Sequence, residues 1–313
     1  MKPTTYIIGG LVLVGAIASG VAGYMTKGMS LSLNSLAPYE FTDSVAVRHF
    51  EPVDNVAILY RSALPKNTEV YFASGIQLEV TENSDITSPV VEVSESWLPL
   101  LDLRQTERDG KSTLDIIVDC HGLADYYSAP EGTKKMEIHL DAPAINLVMP
   151  AGMLSALSSD EKCRVHLQDM GLGLLDVCFN NRMTIENCEI NSLNISISGL
   201  NEYSTTYHLP EPAVPGEPIP SVKDFEYSYL HLKHSSVRSA DISVVAPALT
   251  VTGPCHIDTL AINAQGIDRE NQYVELRPMV EFDVLDWRPD NASLINLEIH
   301  DMPAGHFVSH IKD

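Results

Sequence analysis

The chain has 313 residues, which is enough for a large buried core and one or two domains. It carries 42 aspartates and glutamates against 20 lysines and arginines, a formal net charge of −22, and this balance argues against a nucleic-acid partner, whose phosphates require cationic side chains. The acidic residues form no calcium-loop motif of the D-x-D-x-D-G type, so we expect them to be solvated surface charge.

The first predicted element is an apolar segment near the N-terminus. Residues 6–25 contain no charged side chain and are long enough to cross a bilayer as a helix. Small residues such as Ala18 and Ala22 would also suit the cleavage site of a signal peptide. We therefore predict one N-terminal transmembrane or signal helix in residues 1–27, with an uncleaved anchor favoured over a cleaved signal, and an exported acidic remainder.

A polar segment and a run of irregularly spaced strands are predicted next. Residues 28–44 are expected to form a stalk, and residues 45–135 contain strand-like stretches separated by turns. The dipeptide Asp109-Gly110 is typical of a tight hairpin between two strands. This region is less regular than the sequence that follows it.

Beyond residue 136 the sequence contains a repeat of about 20 residues. Residues 183–199 alternate apolar and polar side chains, which is the period-two pattern of a strand. Residues 165–179, 230–246 and 249–266 fit the same template. The alignment places Met183 with Leu249, Ile185 with Val251, Cys188 with Met170 and Cys255, Ile190 with Ile257, Leu193 with Leu260, and Ile195 with Ile262.

Short strand-like repeats of this kind predict a solenoid. One repeat cannot bury its apolar side alone, so repeats must stack and place their equivalent residues in inward ladders. The predicted fold class is therefore all-β, a parallel β-helix (solenoid) over residues 45–313. The alternative is an antiparallel sandwich whose strands resemble one another by chance; parallel pairing of the repeats, with Ile190 and Ile257 buried, would distinguish the two.

A proline-rich segment interrupts the repeats at residues 208–224. Proline cannot donate to a strand ladder and favours an extended path. Because the template resumes at Leu230, we predict a loop that leaves one coil and returns to the next; the alternative is an interdomain linker. The coils are thus assigned to residues 136–207 and 225–313, where Leu297 and Ile299 fit the second half of the template and the last segment caps the stack.

The five cysteines are an odd number for an exported chain. Cys188 and Cys255 occupy an inward template position, where a thiol serves as a small apolar filler and need not form a disulfide. Cys178 alternates with inward Val177 and Phe179, so it is predicted to be exposed and potentially reactive. No C-x-x-C pair occurs, and no metal site is predicted.

The sequence resembles the GIN-domain family of auto-transporter adhesin heads. The stretches that carry the resemblance are "HFEPVDNVAILYRSALPKNTEVYFAS", "PVVEVSESWLPLLDLRQTERDGKSTLDIIV" and the later short repeats. Asp109, Gly110, Leu114 and Ile116 stand where that family has a DG element followed by L-x-I. The resemblance covers residues 42–270 and implies a bacterial cell-envelope protein with a right-handed β-helix, often without an established activity.

The sequence offers little catalytic chemistry. No G-x-S-x-G motif, phosphate loop or dinucleotide fingerprint occurs, so no catalytic residue and no cofactor is assigned. Asp283 and Asp286 could supply the two carboxylates of a polysaccharide-cleaving enzyme, and His231, His234 and His256 could meet on stacked coils as a metal patch. For both sets a solvent-facing position without a special role is the simpler expectation.

Four tyrosines near the proline-rich segment are the candidate binding residues. Tyr203, Tyr207, Tyr227 and Tyr229 could stack on sugars or anchor a protein partner, and they could equally pack the segment onto the stack. The resulting hypothesis is a non-enzymatic envelope protein, tethered to a membrane through residues 6–25, that serves as an adhesin or a glycan- or protein-binding module on the periplasmic or extracellular side. The alternatives are a polysaccharide-active β-helix enzyme and a structural scaffold for envelope proteins.

Overall fold

The computed structural model is built almost entirely from strands. It describes the following residues: 30–32, 39–61, 68–108, 110–127, 135–160, 162–198, 228–245, 248–265, 272–290, 295–300 and 306–309. Within these residues the strands form two ten-stranded sheets and one three-stranded sheet. The predicted all-β class is confirmed.

Two large sheets contain most of the described chain. The first sheet contains, in spatial order, β2 (Val45–His49), β6 (Val90–Ser94), β10 (Ile145–Pro150), β5 (Ile76–Asn83), β12 (Cys163–Gln168), β14 (Arg182–Glu186), β16 (Ser228–Lys233), β18 (Ala248–Thr252), β20 (Gln272–Leu276) and β22 (Ile295–Ile299). The second sheet contains β7 (Leu101–Arg108), β8 (Lys111–Asp119), β3 (Asn55–Arg61), β11 (Ala156–Ser159), β13 (Gly171–Cys178), β15 (Glu189–Ser198), β17 (Ser235–Val245), β19 (Cys255–Ala264), β21 (Val280–Pro289) and β23 (His306–Ser309).

The remaining elements are small. The three-stranded sheet consists of β1 (Ser30–Ser32), β9 (Lys135–Leu140) and β4 (Thr68–Phe72). A 3-10 helix spans Glu95–Leu100, and one short α-helix, α1, spans His121–Tyr126. Trp97 of the 3-10 helix is fully buried, and its indole N–H donates to the Pro143 carbonyl at 2.9 Å, so this segment is fixed to the core.

From β11 to β23 the chain alternates between the two large sheets. Each strand in this part pairs in parallel with the strand two positions later along the chain. Ile190 of β15 lies beside Val237 of β17, which lies beside Ile257 of β19. All three side chains are at most 3% exposed. The repeats therefore stack in parallel with inward aliphatic ladders, and the antiparallel alternative is wrong for these strands.

The long strands of the second sheet bend at one shared position. In β17 the buried residues Val237 and Ala240 are three positions apart, so Arg238 and Ser239 both face outward. The same spacing separates Ile190 from Leu193 in the repeat template. Strict alternation would place an inward residue at every second position. The strand has one additional outward residue here, and such an insertion bends a strand.

The ladders confirm the aligned residues of the second sheet but correct those of the first. Leu260 and Ile262 align with Leu193 and Ile195 as predicted. In the first sheet Met183 lies beside Leu230, and Leu230 lies beside Val251. The predicted alignment of Met183 with Leu249 and of Ile185 with Val251 is therefore wrong by two residues.

The sequence Gly253-Pro254 explains this shift. Pro254 has no N–H group to donate to a ladder, and β18 ends before it at Thr252. A Cβ atom on Gly253 would lie 2.1 Å from the Met279 carbonyl oxygen, so only glycine allows this close backbone approach. The strand therefore ends before the level of Ile185 and Leu232, and Val251 lies at the level of Met183.

Two further assignments are refined by the pairing. Leu297 and Ile299 lie beside Val274 and Leu276 in the first sheet, so they belong to the first half of the repeat and the prediction of the second half is wrong. In the segment predicted as a stalk, β1 pairs in parallel with β9. The predicted hairpin at Asp109-Gly110 joins the antiparallel strands β7 and β8, with Gly110 at φ +76°, while Asp109 itself lies outside the described residues.

Residues 6–25, predicted to enter a membrane, lie outside the described part of the chain. Among the described residues, no helix has the length and apolar character required to cross a bilayer.

Candidate functional site

The candidate site consists of two neighbouring rows of outward side chains on the second sheet. Parallel pairing places equivalent residues of successive strands side by side, one strand spacing apart. The acid–amide row contains Asn55, Ala156, Asp176, Asn194 and Asp241. The small row beside it contains Ser158, Cys178, Ser196 and Ser243.

These rows form the floor of an open groove. The groove has a volume of about 700 Å³ and runs across β8, β3, β11, β13, β15 and β17. Small side chains in the middle of the sheet leave this space, whereas Arg108 and Lys111 stand at the end formed by the β7–β8 hairpin. The groove thus combines one cationic end with a floor of hydroxyl, amide and carboxylate groups.

Hydrogen bonds fix the orientation of the floor. The Asn194 amide donates to Asp176 Oδ1 at 2.8 Å, and the Asn263 amide donates to Asp241 Oδ1 at 2.6 Å. Each amide N–H is directed to a carboxylate of the preceding strand, so a row of oxygen acceptors follows the axis of the stack. Repetition at the strand spacing of about 4.8 Å gives this row a regular pattern.

The cationic end is held by a buried carboxylate. Asp115 is fully buried and accepts hydrogen bonds from Arg108 at 2.7 Å and from the Thr106 hydroxyl at 3.0 Å. Because Asp115 orients the guanidinium group of Arg108, that end of the groove is positioned before any ligand arrives. Lys111 adds a second positive charge beside it.

Cys178 lies in the groove but is not an activated nucleophile. Its side chain is half-buried, and this burial raises the pKa of the thiol above its ordinary value. The thiol is therefore protonated at neutral pH. Cys178 faces outward as predicted but is only partly exposed, and its reactivity stays a prediction. The other four cysteines are buried and unpaired.

Among the four predicted binding tyrosines, only Tyr229 belongs to the described residues. Its ring stacks with the His231 imidazole at a centroid distance of 6.1 Å, and the Arg182 guanidinium lies 5.5 Å from the ring centroid. Tyr229 lies on β16 of the first sheet, so the structure does not bring it to the groove. Tyr203, Tyr207 and Tyr227 lie outside the described residues, and a binding role for all four stays a prediction.

Two of the three histidines considered for a metal patch, His231 and His256, lie in different sheets. His231 lies in β16 of the first sheet with Nδ1 2.7 Å from Thr252 Oγ1, and burial, then Arg182 and Lys233, lower the pKa of its imidazole. His256 lies on β19 of the second sheet. His256 instead lies close to Asp258 and Asp283.

The two carboxylates considered for acid–base work have separate partners. Asp283 lies close to His256, whereas Asp286 forms an ion pair with Arg288. Neither residue lines the groove. The structure therefore does not unite Asp283 and Asp286 with the candidate site.

The acid–amide row was missed by the sequence analysis although a signal was present. Asp176, Asn194 and Asp241 are each the single residue between the last two aligned apolar positions of their repeat. Outward positions of a half-buried strand are expected to be polar, so their recurrence was not distinguished from ordinary surface. Parallel pairing of the strands places these recurring polar residues side by side and so forms the acid–amide row.

Comparisons with known proteins give a likeness in structure only. No protein-family model and no curated protein matches the chain, so membership of the GIN-domain family stays a prediction. A "putative adhesin" from Parabacteroides distasonis is 12% identical, with a TM-score of 0.37, and the match covers 85% of this chain and 96% of that one.

Two further solved structures show the same kind of likeness. A "putative lipid binding protein" from Parabacteroides distasonis is 10% identical, with a TM-score of 0.29, over 87% of this chain and 98% of that one. A "putative adhesin" from Parabacteroides merdae is 11% identical, with a TM-score of 0.28, over 87% of this chain and 98% of that one. At these TM-scores the likeness does not bear on function, which is argued below from the groove.

Proposed function

We propose that the protein is a non-enzymatic binding module of the bacterial cell envelope, tethered to a membrane, that holds a glycan in the groove of the second sheet. The observation that carries the proposal is the acid–amide row, in which Asp176, Asn194 and Asp241 present hydrogen-bonding groups at a regular spacing. We further propose that the alternating parallel strands wind as a right-handed β-helix. The domain would face the periplasm or the cell exterior.

The chemistry of the groove suits a hydroxylated ligand. Sugar hydroxyls both donate and accept hydrogen bonds, and the row offers carboxylate acceptors together with amide and serine hydroxyl groups. A ligand that extends across several strands can contact an equivalent group on each strand. Arg108 and Lys111 would contact an acidic substituent at one end of the glycan.

The test is binding of the full chain to a glycan array, with two asparagine variants compared. Asn194 and Asn191 are both exposed and both lie on β15, but only Asn194 lines the groove. We expect Asn194→Ala to weaken binding of the captured glycan about tenfold, since losing hydrogen bonds to the ligand costs about 1–2 kcal/mol. Asn191→Ala should bind as the unchanged protein does.

The outcomes separate the alternatives. An array on which the full chain captures no glycan would overturn the proposal, as would equal loss of binding in both variants. Release of reducing ends from a captured polysaccharide would favour the polysaccharide-active enzyme. Capture of one envelope protein, without glycan binding, would favour the scaffold.

A further inference from the structure

Four polar side chains form a square on β19 and β21, outside the groove. His256 lies beside Glu281 in the parallel ladder, and Asp258 and Asp283 occupy the next outward position on the same two strands. All four residues are exposed. Because the two strands pair in fixed register, the backbone holds these side chains as neighbours without help from a loop.

The distances within the square match the separations of metal ligands. His256 Nε2 lies 3.4 Å from Asp258 Oδ1 and 3.8 Å from Asp283 Oδ1, and the three ligand atoms all lie within 4.8 Å of one another. Imidazole nitrogen and carboxylate oxygen bind zinc at about 2.0–2.2 Å, which places tetrahedral ligand atoms about 3.4 Å apart. The three atoms therefore need only small side-chain adjustments to share one ion.

The second nitrogen of His256 faces another carboxylate. Glu281 Oε2 lies 3.9 Å from His256 Nδ1, whereas the two aspartates approach Nε2. A histidine that binds a metal ion usually donates its other ring N–H to a carboxylate or carbonyl, which fixes its tautomer and orientation. Glu281 is placed to direct Nε2 toward Asp258 and Asp283.

A second histidine–carboxylate group on the first sheet provides an internal contrast. His300 Nε2 lies 3.0 Å from Glu275 and 3.2 Å from Glu298, so the distances alone are similar. These carboxylates, however, have further partners: Arg277 lies 2.8 Å from Glu275, and the Tyr273 hydroxyl donates to Glu298. Arg277 therefore offsets the charge of Glu275, and the Tyr273 hydrogen bond stabilises the Glu298 carboxylate.

The carboxylates around His256 lack such partners within the described residues. Asp258, Glu281 and Asp283 have ion pairs only with His256 there. Arg238 occupies the position beside Asp258 on β17 but forms no ion pair with it within 4 Å. Like charges on directly neighbouring strand positions repel one another, and a divalent cation would relieve this repulsion.

We propose that His256, Asp258 and Asp283 bind a divalent transition-metal ion of the zinc class, with Glu281 positioning the imidazole. A nitrogen ligand together with carboxylate oxygens suits such an ion better than calcium, which takes oxygen ligands alone. The three residues leave a coordination position open to water or to a group of a bound partner. The site is separate from the groove, and the proposal does not rest on glycan binding.

The test is a zinc titration of the full chain, without a histidine tag and after chelator treatment, followed by calorimetry. His256→Asn is compared with the matched variant His300→Asn. We expect a zinc-binding event in the unchanged protein and in His300→Asn that is absent from His256→Asn, and loss of the visible Co²⁺ spectrum in the same variant only. Glu281→Gln should weaken zinc binding about tenfold or more while keeping the stoichiometry.

Circular dichroism of each variant establishes that it is folded. Equal zinc affinity in the unchanged protein and in folded His256→Asn would overturn the proposal. Absence of binding at about 100 µM zinc, which corresponds to a binding free energy weaker than about −5.5 kcal/mol, would overturn it as well. Loss of the event in His300→Asn, rather than in His256→Asn, would place the ion at the other group.

Discussion

Ser235 is the polar member of an otherwise apolar row that passes through the core. The row places Ser235 between Cys188 and Cys255, at the inward position predicted for the two cysteines. The Ser235 hydroxyl accepts from the Cys188 backbone N–H at 3.1 Å and donates to the Ile185 carbonyl at 3.1 Å. A hydroxyl is tolerated at this depth because it satisfies backbone groups that the turn leaves unpaired.

Replacing Ser235 by alanine should therefore destabilise the protein. The change leaves the buried Cys188 N–H without its acceptor, and such a loss costs about 1–3 kcal/mol. Urea unfolding of Ser235→Ala measures this difference. The neighbouring exposed change Ser236→Ala serves as the control and should stay within about 0.5 kcal/mol of the unchanged protein; equal stability of the two variants would contradict the role assigned to Ser235.

The Cys178 thiol should react slowly at neutral pH. Since burial raises its pKa, the thiolate fraction at pH 7 is smaller than that of free cysteine, and alkylation should accelerate as the pH rises toward the shifted pKa. Burial raises the pKa of Cys120 and Cys255 further, to about 12, so Cys178 should still be modified before them. Mass spectrometry of iodoacetamide adducts across a pH series gives these rates. A Cys178 rate equal to that of free cysteine at pH 7 would rule out the shift.

At the scale of the strand, the shared bend decides how the second sheet is built. Val237 and Ala240 point inward although they are three positions apart, and β15 and β19 bend at the same level. Because neighbouring strands bend together, their pairing continues on both sides. A strand that failed to bend would lose register with both neighbours over half of its length.

Deleting Ser239 tests this dependence. The deletion restores strict alternation in β17 but removes the residue that produces the bend, so the residues from Ala240 to Val245 can no longer keep both their register and their inward direction. We expect a loss of about 3–5 kcal/mol in urea unfolding, typical of disrupted core packing. Ser239→Ala keeps the spacing and should be nearly neutral; a deletion variant as stable as Ser239→Ala would show that the bend is dispensable.

The strands themselves were largely predictable, because a strand with one buried face alternates apolar and polar residues along the sequence. The equivalents of Ile190, Leu193 and Ile195 in β19 were predicted correctly, since these three inward positions hold apolar side chains in each of the stacked strands. The register of β18 was not predictable in the same way: the Gly253-Pro254 turn shortens the strand, and the close approach of Met279 that requires glycine is a long-range contact. The groove was not predictable either, because the polar residues of separate repeats become neighbours only when the strands pair in parallel.

The net charge of −22 acts on the molecule as a whole. Cationic side chains are too few to offset the acidic ones, so self-repulsion lowers the stability of the compact state, and dissolved salt screens that repulsion. Local ion pairs such as that between Arg288 and Asp286 reduce the repulsion only where they occur.

Added salt should therefore raise the unfolding temperature. At pH 7 we expect the midpoint to increase from low ionic strength to about 0.5 M NaCl, where the Debye length falls to a few ångström. The same series near the pI of about 4.7 should show a much smaller increase, because the net charge is close to zero. An unchanged midpoint at pH 7, or the same increase at both pH values, would contradict a role for net charge.

The connection between β15 and β16 is far longer than its counterpart between β17 and β18. The first comprises residues 199–227 and the second only residues 246 and 247, yet the strands on both sides pair in register. Equivalent strands of the stack are thus joined by connections of very different length. A foreign peptide, such as an antibody epitope or an affinity handle, could be exchanged for part of residues 199–227, which would make the protein a carrier for display.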